Sequence, residues 1–81
     1  MNNTQIHQKA LEMIDEEFID LLRIAEENPN SHMTTYHQGL VKGYVRCLSR
    51  LEAISLKEYF NVHDCVNCVP EVIFFLKQKK L

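Results

Sequence analysis

Apolar residues return at helical spacing along most of this chain, and polar turn signals interrupt them. From about residue 4 to 27, Leu11, Ile14, Phe18, Leu21 and Ala25 recur at steps of three, four, three and four. Such steps return to one helix face and predict a seam packed lengthwise against a second helix. Ile6, Ala10, Leu22 and Ile24 widen the stripe, while Glu12, Asp15, Glu16 and Asp20 fall largely away from it. Asn3 or Thr4 is the expected N-cap. Asn28-Pro29-Asn30-Ser31 ends the helix, because a residue before proline is driven out of the α region.

A second helix is predicted to begin between Ser31 and Thr35 and to run to about Leu51. Leu40, Tyr44, Cys47, Leu51 and Ile54 give it a matching seam. The chain's two glycines, Gly39 and Gly43, stand here in a ladder of small residues with Thr35 and Cys47. Each interior glycine costs a helix roughly 0.8–1 kcal/mol relative to alanine. The ladder therefore predicts compensation, a smooth groove in which the first helix lies close. Two helices of about 30 Å with a short polar connection make an antiparallel hairpin.

Ser55-Leu56-Lys57-Glu58 has the form of a capping box, with Ile54 and Tyr59 as its hydrophobic staple. A third helix is placed from Leu56, fraying between Asn61 and Cys68. Pro70-Glu71 then reads as the start of a fourth, with Lys77, Lys79 and Lys80 suiting its negative end. Val72 to Phe75 have strand propensity, but a lone strand has nothing to pair with. The expected fold is all-α: a long antiparallel helical hairpin with one or two shorter C-terminal helices, in one domain spanning 1–81.

Bulk properties narrow the class. Eighty-one residues with 46% hydrophobic content suffice for one small core. No basic segment followed by an apolar one opens the chain, and the longest apolar run, Val72 to Leu76, is far short of a membrane span. Three cysteines without a signal then point to free thiols in the cytoplasm and to no membrane association. The net charge of −2 divides unevenly: residues 1–31 carry seven acids against two bases, and residues 32–81 seven bases against four acids. The simplest consequence is attraction between the two halves.

Chemistry-bearing residues are few. His63-Asp64-Cys65-Val66-Asn67-Cys68 contains one Cys-x-x-Cys pair, and zinc would need His63 plus a fourth ligand from Cys47, His32 or His37. Strong zinc signatures carry two such pairs, so burial of the cysteines as small hydrophobes is the expectation, with no cofactor. A thioredoxin-like role is disfavoured because no strand precedes the pair. No glycine-rich phosphate loop, His-Glu-x-x-His pattern or oxyanion-forming turn is present, so no enzyme is expected.

Lys42, Arg46 and Arg50 form a basic stripe expected to pair with Glu12, Glu16 or Asp20 across the hairpin. Its alternative partners are an acidic protein or nucleic acid, although the helix after Ser55 is a poor set for phosphate contacts. Gly39-x-x-x-Gly43 is a membrane motif only in an apolar span, which these cations interrupt. Tyr36 and Tyr44, with Phe74 and Phe75, are expected mostly in the core, with Tyr36 the candidate interface anchor. The sequence thus points to a small non-enzymatic domain that binds a partner protein or itself, such as a regulator, adaptor or inhibitor. Accessory proteins of bacteria or their phages fit this description. Nucleic-acid binding is the alternative, and zinc binding through His63, Cys65 and Cys68 a further one.

Overall fold

Local sequence starts each helix by a recognisable device. In the computed structural model, which describes residues 2–79, α1 spans Asn3–Glu27, α2 His32–Arg50 and α3 Leu56–Lys79, with no strand among the described residues. Lys80, assigned above to the last helix, lies outside them. The cap of α1 is Asn2 rather than Asn3 or Thr4: the Gln5 amide donates to Asn2 Oδ1 and the Asn2 amide to Gln5 Oε1, both at 2.9 Å. Glutamine thus closes a capping box that a search for serine or threonine overlooks. Ser31 caps α2 by accepting from the Thr34 amide at 3.1 Å. Thr34 is fully buried there, and its hydroxyl donates to the Asn28 carbonyl at 2.7 Å, tying the turn to the helix it starts.

The three helices form an all-α bundle in which α1 and α2 make the expected hairpin, and α3 packs against both. Its core has two layers. Ala10, Ile14, Val45, Ala53 and Ile54 fill the end near the α2–α3 turn, and Leu21, Ala25, Val41, Val66 and Val69 fill the other. The seam expected on α1 is the one used. On α2 it is not. Thr34, Val41 and Val45 are buried, whereas Leu40, Cys47 and Leu51 of the expected seam are exposed, and only Ile54, in the turn, is inside.

The small-residue ladder is displaced with it. A Cβ built on Gly39 or Gly43 would meet nothing within 4 Å, so neither glycine admits α1. The reason is phase: at 100° per residue, Val41 and Val45 lie opposite Gly43 on the helix. Tyr36, Phe74 and Phe75, expected mostly inside, are likewise exposed.

Glycine is absent where the backbone does call for it. After α2, Glu52 adopts φ 59. Its amide donates to the Ser49 carbonyl at 3.0 Å, and the Ala53 amide to the Leu48 carbonyl at 2.9 Å. These two bonds are the Schellman closure, whose left-handed position glycine fills most easily. Two substitutions should therefore stabilise the protein. Gly43→Ala is expected to contribute about 1 kcal/mol by helix propensity. Glu52→Gly is expected to contribute a similar amount, about 1 kcal/mol, by removing the left-handed penalty. Urea unfolding followed by circular dichroism checks both, and destabilisation by either contradicts the geometry described.

The third element departs most from expectation. It neither frays before Cys68 nor restarts at Pro70; α3 is one helix of 24 residues with Pro70 inside it. Proline lacks the N–H that would bond to the carbonyl four residues back, which here belongs to Val66. That carbonyl instead accepts a bond from Gln38 Nε2 of α2 at 2.9 Å. A side chain 28 positions away in sequence thus substitutes for the missing backbone donor and lets the helix run through.

Candidate interaction face of the second helix

With Val41 and Val45 committed to the core, the helical phase of α2 turns a second apolar stripe outward. Tyr36, Leu40, Gly43 and Cys47, at steps of four, three and four, are all exposed. Met33 and Leu51 extend the stripe, at 56% and 77% exposure. The glycines floor an open groove of about 610 Å³ walled by Met13 of α1 and by Leu40, Tyr44 and Leu48 of α2. Tyr36 stands edge-on to the His37 ring, with 5.6 Å between centroids.

Charge divides the two flanks. On the α1 side, burial raises the Tyr44 phenol pKa, and Glu17 and then Glu16 push it further in the same direction. On α1 these carboxylates follow Met13, a wall of the groove, by three and four positions and so lie on its side of the helix. On the other flank lie Lys42, Arg46 and Arg50. Lys42 and Tyr44, two positions apart, are separated by about 200° around the helix. The expected pairing of this basic stripe with Glu12, Glu16 or Asp20 is not formed. Among the described residues the basic and acidic side chains in contact are Arg23–Asp20 and His7–Glu58, both at 2.8 Å. The attraction between acidic and basic halves consequently leaves no ion pair between α1 and the α2 stripe.

The structure does not bring His63, Cys65 and Cys68 together as a group. Their burial as hydrophobes is overturned as well, since all three cysteines are exposed. Val66 and Val69 take the inward phase of α3 and leave the cysteines outside. His63 lies 5.8 Å, ring to ring, from Tyr59, and its Nδ1 is 3.4 Å from Asn67 Nδ2. Among the described residues no three His, Cys, Asp or Glu side chains are grouped to hold a metal. His32 is exposed and His37 half-buried on α2.

One polar cluster was not singled out by its sequence. His7 Nε2 lies 2.8 Å from Glu58 Oε2, beside Ser49, Glu52 and Ser55 in an open cleft of about 670 Å³. Glu58 Oε1 also accepts from the Ser55 amide at 2.8 Å, and the Glu58 amide donates to Ser55 Oγ at 3.1 Å, completing the expected capping box. The arrangement fastens the starts of α1 and α3 together. A separation of 51 positions between His7 and Glu58 hides it from any local motif.

The Ser55 backbone bond, then the His7 bond, hold the Glu58 carboxyl below its ordinary pKa. A depressed carboxyl stabilises the fold above its unfolded pKa and loses that contribution as pH falls through the folded value. Unfolding at pH 6, 4 and 3 should therefore show wild type losing about 1 kcal/mol more than Glu58→Gln, the scale of one helix cap. Parallel losses in the two proteins would exclude this role for Glu58.

No protein-family model matches the chain, and no match is found among curated proteins or solved structures. No helix among the described residues is long and apolar enough to cross a membrane.

Proposed function

We propose that this chain is a non-enzymatic protein-binding domain that works through the outward face of α2, in a cytoplasm that keeps its three cysteines reduced. The observation that carries the reading is the second apolar stripe: three-four spacing is the pattern by which one helix packs along another, and nothing among the described residues covers it. Twelve large apolar residues are exposed among the described residues, against seven buried ones. The accessible surface, 6017 Å², exceeds the roughly 5,000 Å² typical of a folded monomer of this mass. Apolar surface left in water is a standing driving force for association. The bare cations of the neighbouring stripe favour a partner that brings acidic groups to its edge.

Cross-linking followed by mass spectrometry, in extract of the native host, tests this with Leu40→Glu as the comparison. Wild type should be captured with a protein, its own copy included, and Leu40→Glu, helical by circular dichroism, should lose that capture. Equal capture by both proteins removes this face from the function. Capture of nucleic acid that weakens steeply with salt would transfer the function to the alternative reading of Lys42, Arg46 and Arg50.

A further inference from the structure

We infer that the occupant of this face is a second copy of the chain, seated with its α2 parallel to the first about a two-fold axis that runs along the helix. The inference rests on the protein-binding reading above and names its partner. Its first ground is self-complementarity. The exposed face already holds both halves of a helix–helix seam: the ridge of Tyr36, Leu40 and Cys47, and the gap left by Gly39 and Gly43, where a Cβ would have 4 Å of open space. Two such faces bring backbones close at the glycines while the larger side chains meet around them.

Charge selects the orientation. The stripe is flanked on the α1 side by Glu16 and Glu17, three and four positions after Met13 of the groove wall and so on its side of the helix, and on the other by Lys42 and Arg46. A two-fold axis parallel to the helix exchanges the flanks, so Lys42 and Arg46 of one copy meet the partner's Glu16 and Glu17 at the same height. An axis perpendicular to the helix keeps each flank on its own side, setting cations against cations and acids against acids. Like-charge juxtaposition opposes the antiparallel arrangement, and opposite charge favours the parallel one. Among the described residues the stripe expected to pair within the chain makes no ion pair, which leaves it for pairing between chains.

The parallel register has a built-in reporter. Cys47 follows Gly43 by one helical turn and is exposed, so the two-fold axis sets it against the partner's Cys47. The antiparallel register sets it against the partner's Gly39 instead.

Sedimentation equilibrium of the full chain from 5 to 500 µM, chosen to bracket a micromolar constant, tests the assembly. Wild type should dimerise reversibly. Arg46→Glu and Glu16→Lys should each weaken the dimer about three- to tenfold, as expected for one charge pair at an interface edge. The double variant, which restores opposite charges across the axis, should return to within about threefold of wild type. Both positions are exposed, so the fold survives the substitutions. In a Cys65→Ser/Cys68→Ser background, mild oxidation should link the dimer through Cys47. A monomer throughout the range overturns the inference, as does a dimer that ignores both charge reversals or never links through Cys47. A monomer that still captures another protein through Leu40 sinks the self-assembly alone, whereas a monomer with no such capture removes the protein-binding reading too.

Discussion

Truncating Leu21 to alanine is expected to cost about 3–4 kcal/mol, the range for a leucine whose cavity cannot collapse. Leu21 is completely buried, in a cluster that joins Ala25 of its own helix to Val41 of α2 and to Val66 and Val69 of α3. It is therefore the point at which all three helices meet. A domain of this size has a total stability of only about 4–12 kcal/mol. The loss corresponds to a fall in Tm of roughly 12–32 °C, at some 4–8 °C per kcal/mol. Thermal unfolding followed by circular dichroism reads it directly. Leu51→Ala is the matched control: Leu51 is 77% exposed, and its truncation should change stability by less than about 0.5 kcal/mol. Similar costs for the two leucines would mean that α2 uses the seam containing Leu51, and the bundle described above would be incorrect.

That comparison also shows how far the sequence can be read. α1 carries one apolar stripe, and its seam is legible: Ile14, Leu21 and Ala25 are where the spacing puts them. α2 carries two, one through Val41 and Val45 and one through Leu40 and Cys47. Periodicity assigns both to helix faces but contains no term that ranks them. Valine at positions 41 and 45 offers less area than leucine or tyrosine, so a reading weighted by side-chain size selects the wrong stripe. What decides is the fit against α1 and α3 together, a tertiary property. The glycines misled for a related reason. Small residues suggest close approach by a neighbouring helix, and the structure shows that α1 does not lie on them.

Helix boundaries divide in the same way. Ser31 and Ser55 announce their caps, because the acceptor and the amides it serves lie within three positions. The Schellman closure after α2 is silent, since Glu52 occupies the position where glycine would have marked it. The basic stripe was visible at once, but its lack of partners was not. Charge counts locate ions along the sequence, whereas pairing depends on which flank of the helix each occupies.

Pro70 is the sharpest case, and it supports a prediction of comparable size. Proline in a helix interior loses about 3 kcal/mol relative to alanine, partly through the lost hydrogen bond. Here the deprived carbonyl, that of Val66, is served by Gln38 Nε2 across the α2–α3 interface. Gln38→Leu should consequently cost about 1–3 kcal/mol, because it strands a carbonyl beside a fully buried residue. Pro70→Ala should stabilise by about 1–3 kcal/mol, returning an amide to the helix. The informative quantity is the coupling. Once the restored backbone amide of Pro70→Ala donates to the Val66 carbonyl, the glutamine becomes dispensable. In that background Gln38→Leu should cost about 1–2 kcal/mol less than it does in wild type. Urea unfolding of the four proteins measures this. Additive effects would show that the helix passes through Pro70 without help from α2, whereas the predicted coupling means that α2 directly determines whether the C-terminal third of the chain is one helix or two.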